Sequence, residues 1–143
     1  MNKFFEGKIK YRKTLDNGTQ KVVTEAYIVD ALNYTEAEAR VHEEVAAYIS
    51  GEFKITNIRL TNYVEVHPSE GDIWFKSKIS LIAFDNESGK EKKTNMYFLV
   101  QADDLKEAND KTVEVMSGTV GDWTISAISE TNIMDVFEYS LAQ

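Results

Sequence analysis

Phe53-Lys54-Ile55-Thr56-Asn57-Ile58-Arg59-Leu60-Thr61-Asn62 reappears seventy residues later as Trp123-Thr124-Ile125-Ser126-Ala127-Ile128-Ser129-Glu130-Thr131-Asn132. Phe5-Glu6-Gly7-Lys8-Ile9 matches Phe75-Lys76-Ser77-Lys78-Ile79 at the same spacing. Ala31 and Glu36-Ala37 match Ala102 and Glu107-Ala108 one residue out of phase, which a single-residue length change in a turn explains. A chain repeated in this way must fold as two copies of one supersecondary unit.

Each copy reads as strand, turn, strand, helix, strand. Phe5, Gly7, Ile9 and Tyr11 alternate with Glu6, Lys8, Lys10 and Arg12, the period of a strand with one buried face. Asp16-Asn17-Gly18 supplies a hairpin turn, and Val22 to Val29 returns as a strand rich in β-branched residues. Thr35 and Glu38 have the spacing of a capping box, so a helix is expected to start there. Its apolar stripe is Ala37, Val41, Val45 and Tyr48, with Glu36, Arg40, Glu43 and Glu44 turned to solvent and Gly51 as a stop.

In the second copy Phe75, Ser77, Ile79 and Leu81 share a face. Asp85-Asn86-Glu87-Ser88-Gly89 turns the chain, and Met96, Phe98 and Val100 return. A helix capped by Asp104 and Glu107 runs to about Met116. Pro68, the single proline, marks the connection. The expected fold is α+β: one domain, 1–143, of tandem ββαβ repeats (about 3–67 and 73–139) with pseudo-twofold symmetry. Antiparallel sheets and two helices are expected to share one core, because neither unit is large enough to cover its own apolar face.

Composition narrows the chemistry. The 143 residues include no cysteine, which excludes disulfides, thiolate nucleophiles and cysteine-ligated zinc. Charges at Glu6, Lys8 and Lys10 interrupt the N-terminal region, and no apolar run is long enough to span a bilayer, so a cytoplasmic protein without membrane contact is expected. A net charge of −8 opposes, on average, approach to phosphate backbones.

No catalytic set assembles. His42-Glu43-Glu44-Val45-Ala46 is close to a helical zinc-protease motif, but Ala46 stands where the second histidine is needed. His67 beside Pro68 has no nucleophile or carboxylate partner nearby in sequence. Gly118 and Gly121 follow a helix, whereas phosphate loops precede one. Asp103 and Asp104 sit where an N-cap and a first-turn acid belong. No enzyme activity, metal or cofactor is therefore expected.

The feature left over is a face. With Phe5, Ile9 and Tyr11 turned inward, Phe4, Lys8, Lys10 and Arg12 point outward, and by the repeat so do Trp74, Lys76 and Lys78. Such a face suits a protein partner. It also suits, with less weight, single-stranded nucleic acid, with aromatics stacking bases and lysines following phosphates, or it serves only to keep a strand soluble. A groove between the repeats, lined by Tyr63, Tyr97 and Trp123, would suit a small ligand. An exposed strand edge leaves room for a homodimer.

Several blocks carry a resemblance: Phe5-Glu6-Gly7-Lys8, Thr24-Glu25-Ala26-Tyr27-Ile28-Val29-Asp30-Ala31, Thr35-Glu36-Ala37-Glu38-Ala39-Arg40, Tyr48-Ile49-Ser50-Gly51-Glu52-Phe53 and Glu130-Thr131-Asn132-Ile133-Met134-Asp135-Val136. On these the chain resembles an uncharacterised family of gut anaerobic bacteria, their phages and mobile elements, a resemblance that covers nearly the whole chain and implies no catalytic residues. Each ββαβ half is also similar in topology to the repeated unit of a large-subunit ribosomal protein. The reading is a non-enzymatic interaction module that binds a host or self protein through its outward sheet face. The alternatives are a single-stranded nucleic-acid binder and a small-ligand binder at the junction of the repeats.

Overall fold

Lys3–Thr14 (β1) and Gln20–Ala31 (β2) form a long hairpin, and Ile73–Phe84 (β5) and Glu91–Ala102 (β6) repeat it. A computed structural model of the chain describes residues 3–138. The expected turns close both hairpins. Gly18 and Gly89 take positive φ of 84° and 69°, a conformation glycine adopts without steric cost. Asn17 and Asp85 accept hydrogen bonds from the amides of Thr19 and Glu87.

After each hairpin come a helix and a third strand: Tyr34–Ala46 (α1) and Phe53–Leu60 (β3), then Leu105–Met116 (α2) and Asp122–Glu130 (β7). Asp104 caps α2 as expected, accepting from the Glu107 amide at 2.8 Å. Thr35 does not cap α1. Asn33, the residue matching Asp104, does so by accepting from the Glu36 amide at 2.9 Å, and the helix begins at Tyr34. An asparagine two residues earlier captures the free amide first.

Two short strands complete the molecule, Tyr63–His67 (β4) and Ile133–Phe137 (β8), and both change sheets. The sheet orders are β3-β1-β2-β8 and β4-β6-β5-β7. Thus β4, from the first repeat, pairs in parallel with β6, while β8, from the second, pairs in parallel with β2. The chain therefore divides into two compact units, 1–61 with 132–143 and 62–131, whose borders differ from those of the sequence repeats. Tyr139, the last residue of the second repeat, lies outside the described residues.

The repeated Thr-Asn pair marks each departure. The Thr61 amide and hydroxyl both donate to the Phe4 carbonyl, at 3.0 and 2.8 Å, and those of Thr131 to the Trp74 carbonyl, at 3.0 and 2.7 Å. These bonds tie the end of the third strand to the start of the first before the chain leaves the sheet.

Each unit buries side chains between its sheet and its helix. In unit 1 Phe5, Ile9, Tyr27 and Val29 pack on Ala37, Val41 and Val45. In unit 2 Ile79, Phe98 and Val100 pack with Met116, and Phe75 and Ala102 with Ala108. Gly7 lets α1 approach closely, since a Cβ there would lie 2.7 Å from Val41 Cγ2. The matching pair in unit 2 is Ser77 and Thr112, whose hydroxyls hydrogen-bond at 2.8 Å.

Two side chains depart from the expected helix stripe. Arg40, expected in solvent, is 5% exposed, because its guanidinium reaches strand carbonyls at the sheet's end. It donates to the Asp30 carbonyl at 2.6 Å, to the Asp30 carboxylate and to the Phe137 carbonyl at 3.3 Å. Tyr48 falls beyond the helix end and is 70% exposed, stacking on Phe137 with ring centroids 5.9 Å apart. No helix among the described residues is long and apolar enough to cross a membrane.

Candidate binding face

The alternation along β1 places Phe5, Ile9 and Tyr11 toward α1 and leaves Lys8, Lys10 and Arg12 on the opposite face, all three exposed. Across β2 they meet Ala26, Thr24 and Val22. Across β3 the register shifts between Lys8 and Ile9, so that Lys8 faces Asn57 and Lys10 faces Lys54. The bulge residue Thr56 secures this shift through its hydroxyl, which donates to the Lys8 carbonyl at 3.3 Å.

On this face Glu6 pairs with Arg59 across β3, and beyond that pair the charge from Lys8 to Arg12 is uncompensated. The other cations that form ion pairs are Arg40 with Asp30 and Glu44, Lys106 with Asp110 and Lys111 with Glu107. Among the described residues, Lys8, Lys10, Arg12 and Lys54 make no ion pair. Lys10, Arg12 and Lys54 line a groove of about 680 Å³ at the open end of the sheet, with Glu52 as its carboxylate and Val22 as an apolar wall. Tyr11 reaches the same groove. Burial, with Glu25 beside it, raises the Tyr11 phenol above its ordinary range, so it stays neutral.

The outward face of unit 2 is different, which corrects one expectation. Trp74 does lie on that face, but it is 3% exposed and offers no stacking surface. Strand alternation assigns a side chain to a face, not to solvent. In β6 Phe98, Leu99 and Val100 are all buried, so both faces of that sheet are covered at this level. Lys76 and Lys78 are half-buried, as is Phe4 in unit 1. The Lys76 ammonium lies 4.8 Å from the Tyr97 ring centroid and 6.0 Å from that of Tyr63, within cation–π range.

The repeat sharpens the contrast. Lys8 matches Lys78, but Lys10, Arg12 and Lys54 match Ser80, Ile82 and Thr124. There the Ser80 hydroxyl donates to Asn95 Oδ1 at 3.0 Å and also hydrogen-bonds Ser126. The same framework is thus built with neutral residues, and the cation cluster belongs to unit 1 alone. Lys54 escaped the sequence reading. Its signal was the lysine between Phe53 and Ile55, whose counterpart between Trp123 and Ile125 is a threonine.

The remaining candidates are dispersed. Tyr63, Tyr97 and Trp123 do not line one groove, because Trp123 packs on the helix side with Ile79 and Met116 while both tyrosines flank Lys76 on the other side. His42 is exposed and lies against Phe53, with ring centroids 5.0 Å apart. His67 Nε2 is 3.1 Å from a Glu65 carboxylate oxygen, without hydrogen-bond alignment, and its ring meets Phe98 edge-on at 5.3 Å. Asp103 Oδ1 accepts from the Asp72 amide at 3.1 Å, a structural use of that acid.

No curated protein and no solved structure matches the chain. Residues 3–139, nearly its whole length, match the family described as Domain of unknown function (DUF4494), and the chain belongs to that family.

Proposed function

We propose that the chain is a non-enzymatic interaction module that engages an acidic protein partner through the outward sheet face of unit 1. The observation that supports this reading is the row Lys8, Lys10, Arg12, exposed and unpaired in a chain of net charge −8. Unpaired cations set on a rigid strand are costly to keep near one another and well placed to meet anions. The single-stranded nucleic-acid reading has less support. Base stacking needs exposed aromatics, and Trp74 is buried while Phe4 is half-buried. On the resemblance to a family of gut anaerobes, phages and mobile elements, the partner is a host or self protein in the cytoplasm, a second copy of the chain included.

A photo-crosslinking residue in place of Lys8, in the full chain within producing cells, tests the reading. It should capture a discrete protein band that is lost when Lys10 and Arg12 are changed to glutamate. Crosslinking to nucleic acid instead would promote the competing reading, and the salt dependence of that complex would measure its phosphate contacts.

A further inference from the structure

Lys10 and Lys54 stand directly across from each other on neighbouring strands, and Arg12 follows Lys10 on the same face. Like charges in that relation repel each other and weaken the sheet. The fold does not demand them, since Ser80 and Thr124 face each other at the matching place in unit 2. The groove they line holds three cations against the one carboxylate of Glu52. What the isolated chain lacks at this place is an anion carrying more than one charge.

We infer that this groove receives neighbouring carboxylates of an extended acidic segment in the partner protein; the inference rests on the protein-partner reading above. Side chains on one face of an extended chain recur every second residue, ~6.6 Å apart. Lys8, Lys10 and Arg12 recur at that same interval along β1. A segment with Asp or Glu at alternate positions therefore meets a cation at each step. Lys54 adds a second cation at the middle step, where the opposed ammonium groups have the most to gain. Val22, 51% exposed across from Arg12, gives the apolar part of such a segment a wall to cover. A single carboxylate would satisfy only one of the opposed lysines. A nucleic-acid strand would match the charge spacing but find beside these cations only the part-buried rings of Tyr11 and Phe53 on which to stack its bases.

The test uses the full chain, a labelled oligo-glutamate peptide, an oligo-glutamine control and labelled mixed-sequence single-stranded RNA, all followed by fluorescence anisotropy. The glutamate peptide should bind, more weakly as salt rises, and the control should not. The double variant K10S/K54T carries the residues of the matching positions in unit 2 and should fold. Its affinity for the peptide should fall about tenfold. The variant K54E places a carboxylate across from Lys10. It should melt about 2 °C or more above the wild type without peptide, and peptide should no longer raise its Tm.

Peptide binding that survives K10S/K54T but is lost in K8S/R12S would overturn the groove and leave the face. Binding of RNA without binding of peptide, or binding of neither, would overturn both. A K54E protein no more stable than the wild type would show that the opposed cations are not under strain and would remove the physical basis of the inference.

Discussion

Gly7 and Val41 in unit 1, and Ser77 and Thr112 in unit 2, solve one packing problem in two ways. The first pair brings helix and strand into apolar contact by omitting a side chain; the second fills the space with two hydroxyls 2.8 Å apart. Gly7→Ser should destabilise the chain by about 1–3 kcal/mol, because the new side chain meets the Val41 methyls. Adding Val41→Thr should recover part of that loss, so the double-mutant cycle should show favourable coupling in urea unfolding. Strict additivity would show that the two solutions cannot be exchanged. At this scale the sequence was a good guide to faces and a poor guide to cover. Alternation placed Lys8, Lys10 and Arg12 correctly in the open. It could not distinguish Trp74, because exposure depends on what lies over a face and alternation carries only the pleat.

Arg40 shows how an element far along the chain is held. Its guanidinium joins α1 to the end of β2 and to the Phe137 carbonyl on β8. Replacing it with methionine removes the guanidinium from the buried Asp30 carboxylate. The expected loss is about 3–5 kcal/mol, with faster amide exchange in β8 than in β1. The counterpart in unit 2 is Lys111, which donates to the Gln101 carbonyl at 3.2 Å and pairs with Glu107 at 3.1 Å. That pair is partly open to solvent, so Lys111→Met should cost clearly less. Unfolding curves of the two variants side by side make the check, and equal losses would refute the account. Hairpins, helices and their order were legible because turn residues, caps and periodicity are local signals. The destinations of β4 and β8 were not. Tyr63–His67 and Ile133–Phe137 are five-residue strands of similar pattern, and nothing local says which sheet each will join.

For the whole molecule the charge balance and the repeat lead to different conclusions. The total of −8 describes the chain as an acidic object, yet a partner arriving at unit 1 meets the local row of cations. The repeat suggested two equivalent faces, and the structure has unit 1 open and basic from Lys8 to Arg12 while the matching stretch of unit 2 is half-buried or buried. Half of the candidate site was thus visible in the alternation of β1. The other half, Lys54 and the groove, required the register of β3 against β1. The exchange of β4 and β8 has a consequence of a different sort. A chain made as two separate polypeptides, 1–70 and 71–143, would give each piece the strand that the other's sheet lacks. Mixed or co-expressed, the pieces should reassemble as a non-covalent one-to-one complex in native mass spectrometry, so that the molecule already contains the plan of a split reporter.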